Sequence, residues 1–181
     1  MTTLTTGSGT ETDAIVYSRE STELRRYSVT EIVPDKATMT FVKSLSLTGI
    51  TPEDQLVGSP NGGWQVVTFG SGTAAGKAAF LSQFDRKLVL VDLNTMTEQG
   101  RVTLSGIPLR IAADATHGTV IVAFADVNAG LTRFAKVDVA TAAVTNLNAT
   151  SSLLATGFAV SSDGSALFCA MRSGLAVVSN Q

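Results

Sequence analysis

The sequence has one cysteine, Cys169, and one histidine, His117, in 181 residues. A lone cysteine excludes an intramolecular disulfide framework and a thiolate cluster for zinc, and a lone histidine excludes every multi-histidine metal site. Charge is scarce as well. Only 15% of residues are Asp, Glu, Lys or Arg, and thirteen basic against fifteen acidic side chains leave a formal charge of -2. That balance gives no electrostatic footprint for nucleic acid or an anionic membrane surface. Long apolar runs are missing too: Gly, Ser or a charged residue interrupts each within about ten positions, short of the roughly 18 to 20 a membrane helix requires. No membrane insertion is expected. Residues 1–12 are mostly Thr, Gly and Ser with one glutamate; they lack the basic and apolar regions of a secretory signal and read as a disordered leader, or as the scar of a chain cut from something longer. A single thiol suits cytosol and periplasm equally, so the compartment is not set.

What is present is apolar surface, at 44% of residues, enough for one packed domain. From Asp13 onward the apolar residues fall in alternating or continuous runs of about five to eight, separated by clusters of Gly, Asn, Asp, Ser and Thr. The runs cover 14–18, 24–29, 39–47, 64–69, 77–84, 88–93, 101–104, 109–113, 119–125, 132–139, 144–147, 157–160, 166–170 and 175–178. Val, Thr, Ile and Phe dominate them, and branched or flat side chains suit a pleated, half-buried surface. No stretch carries a helical stripe. The alanine-rich 73–80 is broken by Gly76, so the whole chain is expected to be β.

The chain also repeats itself. Val91-Asp92-Leu93-Asn94-Thr95 returns 46 positions on as Val137-Asp138-Val139-Ala140-Thr141, and Gly118, which closes Asp114-Ala115-Thr116-His117-Gly118, returns as Gly164 in Ser161-Ser162-Asp163-Gly164. Lys77-Ala78-Ala79-Phe80-Leu81, Thr119 to Phe124 and Ser165 to Cys169 align as second strands of three successive units. A period in the forties is the span of one four-stranded propeller blade. An Asp before Gly helps close a tight turn whose backbone needs positive φ, and an Asp ending a strand before Thr supplies an acceptor for the next turn's amides. Asp92 and Asp138 are therefore expected to be structural.

These turns and spacings resemble the YVTN-type β-propellers, relatives of the WD and NHL propellers, whose blades carry a Ser-Pro-Asp-Gly turn and a Val-Ile-Asp-Thr-like end to the third strand. Ser161-Ser162-Asp163-Gly164 fits the turn with serine for proline, and Val91 to Thr95 and Val137 to Thr141 fit the strand end; Tyr-Val-Thr-Asn itself is absent. The resemblance spans about 64–178, with weaker support over 13–47, and implies antiparallel four-stranded blades at about 13–62, 63–106, 107–153 and 154–181. The first blade shows no first strand, Ser59-Pro60-Asn61-Gly62 copies the family turn, and the last blade stops after three strands. Closed rings use about four to eight blades. Three situations are therefore expected: a portion of a larger propeller, the favoured one; a small ring closed on itself; or two copies forming a ring of about eight.

Candidate chemistry is sparse. His117 lies within a hairpin turn, where an exposed turn residue is the simpler reading than a base or ligand. Cys169 alternates within an apolar strand and reads as a small core hydrophobe, with the histidine 52 positions away. Gly70 to Lys77 resembles a phosphate loop but has three residues between Gly72 and Gly76, alanine after Lys77 and no following helix. The acids Glu53-Asp54, Asp85, Asp92, Asp114, Asp126, Asp138 and Asp163 are scattered, and nothing pairs them for glycosidase chemistry. Arg25-Arg26 beside Tyr27 reads as edge-strand charge or an anion contact; Arg101, Arg110, Arg133 and Arg172 are dispersed, and Trp64 reads as core. No catalytic, cofactor-binding or metal residue is singled out, and no cofactor is expected. The expected function is a non-catalytic binding scaffold whose partner is a protein or small ligand at a blade rim, or further blades closing the ring. The alternative is part of an enzyme resembling 6-phosphogluconolactonase-type lactonases or quinoprotein dehydrogenases.

Overall fold

The computed structural model describes residues 3–6, 11–17, 21–33, 36–52, 63–151, 157–171 and 174–179. They form four antiparallel sheets, each running in chain order from its first strand to its last. The first blade is β1 (Thr3–Thr6), β2 (Glu11–Tyr17), β3 (Glu23–Val33) and β4 (Lys36–Ser46); the second is β5 (Trp64–Phe69), β6 (Lys77–Ser82), β7 (Lys87–Asp92) and β8 (Thr97–Thr103). The third is β9 (Ile107–Asp114), β10 (Thr119–Asp126), β11 (Leu131–Asp138) and β12 (Val144–Ser151), and the fourth is β13 (Gly157–Val160), β14 (Ala166–Met171) and β15 (Gly174–Ser179). The all-β, blade-by-blade architecture expected from the repeat is what the chain adopts.

The start of the chain departs from expectation. Thr3–Thr6, read as leader, is strand β1 and pairs with β2 from Thr3↔Val16 to Thr6↔Asp13. Threonine is β-branched and tolerates a strand as readily as a loop, so composition alone could not separate the two. The first blade thereby gains the first strand it was expected to lack. The Ser59-Pro60-Asn61-Gly62 turn lies outside the described residues.

Continuous apolar runs arise here because inner strands are covered on both faces, so the period of two distributes residues to two different cores. In β6, Ala78 and Phe80 join Ile15, Leu24 and Trp64 between the first and second blades, while Ala79 and Leu81 join Val120, Val122 and Val137 between the second and third. β10 divides likewise: Val120 and Val122 face the second blade, Ile121 and Ala123 face Leu167 and Cys169 of the fourth. Trp64 sits edge-on to Phe80 with ring centroids 4.9 Å apart, so its reading as core holds. Truncating a fully buried phenylalanine such as Phe80 costs about 3–5 kcal/mol.

Three such cores stack four blades. The outward faces of the first and last blades remain open, with Phe41 55%, Leu175 67% and Val177 63% exposed. Among the described residues the first and fourth blades share no core cluster. Basic side chains reinforce the first seam. Arg26 donates to the carbonyls of Leu93 (3.1 Å) and Asn94 (2.9 Å) and to Asp13 Oδ2 (2.6 Å), and Lys43 donates to the Thr95 carbonyl (2.7 Å). β3 is an interior strand, so Arg26 is a clamp between blades and not an edge guard; Arg25 pairs with Glu23 at 2.7 Å.

Candidate functional site

One face of the arc carries the turns closing each first hairpin and the turns between third and fourth strands. The repeat residues gather here. Asp92 Oδ1 accepts the amides of Asn94 and Thr95, both at 2.9 Å. Asp138 Oδ1 accepts those of Ala140 (3.0 Å) and Thr141 (2.7 Å) and the Thr141 hydroxyl (2.8 Å). The Thr95 amide chiefly lowers the Asp92 pKa, and the Thr141 hydroxyl that of Asp138. The equivalence extends to backbone strain, since Met96 and Ala142, also 46 apart, take φ of 52° and 59°. In both carboxylates Oδ1 is taken by the residue's own turn, the structural role expected of them.

His117 lies in the equivalent first-hairpin turn. Its Nδ1 is 2.9 Å from Asp114 Oδ2, with the imidazole 54% exposed and the carboxylate 1% exposed. The same carboxylate accepts the His117 amide at 3.2 Å. Asp114 thus ties the turn, and the histidine caps its solvent side. Thr116 Oγ1 donates to the Ser162 carbonyl of the next blade's turn at 2.9 Å. Ser161 Oγ donates to Asp163 at 2.6 Å and, with the Ser165 amide, holds that carboxyl down to about 2. Gly70 to Lys77 is another turn of this face, with Gly76 N donating to the Phe69 carbonyl at 2.9 Å and β6 beginning at Lys77; no helix follows it. Cys169 is buried between the third and fourth blades, and burial pushes its thiol up.

The opposite face carries the turns between second and third strands and the connections between blades. Its local order is set by side chains. Asp85 accepts Ser82 Oγ (2.7 Å), the Thr51 amide (2.8 Å) and the Thr51 hydroxyl (2.8 Å). Burial raises the Asp85 pKa, and these hydrogen bonds outweigh it to leave a net lowering. Gln65 and Gln83 from the second blade donate to the Leu109 carbonyl (2.9 and 2.7 Å), and Gln65 Oε1 accepts the Ile111 amide (3.1 Å). The second and third blades are therefore fixed rigidly beneath their loops.

Above that seam lies a cavity of about 620 Å³. Arg86, Ser105 and Gly106 of the second blade side face Phe124 to Asn128, Arg133, Phe134 and Asn146 to Asn148 of the third. Two irregularities open it. On β12 the pairing jumps from Asn146 to Thr150 while β11 moves only from Ala135 to Arg133, and β10 shifts register between Ala123 and Phe124. Bulges of this kind re-aim side chains at rims. Arg133 Nε is 2.7 Å from Asp126 Oδ2, and this bond, with the Ala129 amide, lowers the Asp126 pKa. An ionised, ion-paired carboxylate is a weak base. The cavity therefore offers two exposed guanidiniums, Arg86 at φ 52° and Arg133 in its ion pair with Asp126, together with three carboxamides and an aromatic floor. Among the described residues no three His, Cys, Asp or Glu side chains are grouped to hold a metal. Sequence reasoning passed over Arg86 and the asparagines because no motif marks them; the only local signal was the Asp126-Val127-Asn128-Ala129-Gly130 turn.

No family model and no curated protein matches the chain. Solved structures do. It is similar to a 6-phosphogluconolactonase-like protein of Bacteroides uniformis at 11% identity and TM-score 0.59, covering 97% of this chain and 48% of that one. It is similar to a propeller of the mitotic checkpoint complex at 8% identity and TM-score 0.56, over 94% of this chain and 47% of that one. It is similar to the BBS1 propeller in complex with ARL6 at 13% identity and TM-score 0.57, over 99% and 51%. The fold is that of a β-propeller array, and the chain spans about half the length of these structures.

Proposed function

We propose that the chain is a non-catalytic binding scaffold that takes a carboxylate-bearing peptide segment at the rim cavity over its second and third blades, within a propeller of the YVTN type. The observation that carries this reading is the cavity's chemistry. Arg86 supplies a charged fork for a carboxylate, Asn128, Asn146 and Asn148 supply amide donors and acceptors, and Phe124 and Phe134 supply an apolar floor. Rigid blades presenting variable loops are a general way to bind ligands. The test is a nitrogen-15 NMR titration with a pool of acidic heptapeptides. Shifts confined to Gly106, Ala125 to Asn128 and Asn146 to Asn148, abolished by Arg86→Ala, support the reading; shifts elsewhere or none sink it. A second reading is favoured by the 6-phosphogluconolactonase-like neighbour and the His117–Asp114 pair: a lactone hydrolase. Hydrolysis of δ-gluconolactone that vanishes in His117→Ala would establish it instead.

A further inference from the structure

Both open ends of the arc present apolar side chains. On the first blade's outward face Tyr27 lies opposite Phe41 and Val29 opposite Met39. The Tyr27 and Phe41 rings meet edge to face at 5.8 Å, with Phe41 55% and Met39 46% exposed. This end presents bulky knobs. On the fourth blade the residues facing away from the third are Ala159, Phe168 and Val177, in register across three strands, with Ala170 opposite Leu175 beside them. At these five positions the face is apolar, with Leu175 67% and Val177 63% exposed. The outer edge of β15 is unpaired among the described residues, since its sheet has three strands where the others have four.

Contiguous apolar faces of this kind mark interaction sites, and an unpaired sheet edge adds to the pressure to cover them. Within the chain, similar faces already join blade to blade through buried Trp64 and Phe80 at one seam and through buried Phe134 with partly buried Phe158 at another. The arc spans about half of each propeller it resembles, and a ring of about eight blades is an established size. We propose that the occupant of each open face is a second copy of this chain. The fourth blade of one copy seats on the first blade of the other, twice, to close a two-fold ring of eight blades. The contact is heterologous in its surfaces yet closes, because a half-turn repeats it. This assembly does not rest on the ligand reading above, and the two fail independently.

The test uses the 181-residue chain and light scattering coupled to size exclusion. The expected mass is twice 18.8 kDa, unchanged on dilution from about 100 to 5 μM, a range across which a sub-micromolar dimer stays assembled. Phe41→Lys and Leu175→Glu, both at exposed positions, each halve that mass while far-ultraviolet circular dichroism stays that of the parent. Mixing the two variants restores the dimer, because the mixed ring has one parental seam and one Lys–Glu seam. Val127→Glu, exposed on the loop face at 62%, leaves the dimer intact. A monomeric parent chain overturns the proposal and assigns the open faces to further blades of a longer chain. A dimer lost with Leu175→Glu but indifferent to Phe41→Lys overturns it in favour of end-to-like-end pairing, and masses growing without limit overturn closure.

Discussion

Two glycines separate what a turn demands of its own backbone from what the neighbouring blade demands of it. Gly72 and Gly130 have nearly the same left-handed backbone, with φ of 76° and 67°. A Cβ on Gly130 meets nothing within 4 Å, whereas one on Gly72 would overlap the Ala115 carbonyl oxygen, in the turn of the next blade. Alanine at either position costs about 1 kcal/mol for the left-handed conformation. At Gly72 it must also displace main chain, because a carbonyl oxygen cannot swing aside as a side chain can, and overpacking of this kind adds about 1–3 kcal/mol. For a chain of this size each kcal/mol shifts the melting temperature by about 2–4 °C. Gly130→Ala should therefore lower it by about 2–4 °C and Gly72→Ala, which loses about 2–4 kcal/mol in all, by about 4–16 °C, read by circular dichroism at 218 nm. The φ terms cancel in the comparison, so the excess belongs to the contact between blades. Equal losses in the two variants would refute the claim that these turns are wedged against one another.

Acid should act through the turn carboxylates. Asp163 is depressed to about 2 in the folded chain against 3.8 ordinarily. Its stabilising contribution is complete above about pH 4 and disappears as pH falls toward 2. The stability gap between the parent and Asp163→Asn is thus expected at pH 6 and should close near pH 2; a gap of constant size in urea titrations would contradict it. Cys169, buried with its thiol pushed up, should resist a disulfide reagent at pH 8 in the folded protein and react within seconds in 6 M guanidinium. Rapid reaction of the folded chain would mean that the third seam opens readily.

The blade repeat was legible because its hydrogen bonds are short in sequence. Asp92 to Thr95 and Asp138 to Thr141 each close within three residues, so the residue types that make the turn stand together on the page. The first strand was not legible, since Thr3–Thr6 has the composition of a loop and becomes a strand only by lying beside β2. The rim cavity was hidden for a different reason. It depends on two register shifts and on Arg86 and Asn146 lining one cavity from different blades, and neither a bulge nor a seam leaves a pattern in one sequence. Arg26 shows the same limit: paired with Arg25 it resembled surface charge, and its partners are 67 and 68 residues away.

That separation sets an order of events during synthesis. The Arg26 guanidinium leaves the ribosome before the carbonyl of Asn94, 68 residues later, exists to receive it. At about 5–20 residues per second the interval is roughly 3–14 s. Through that interval the amino-terminal sheet has Ile15 and Leu24 bare, and only the arrival of the second sheet covers them. A pause in translation before the second sheet has left the ribosome would lengthen the vulnerable period, while one placed after its emergence would not.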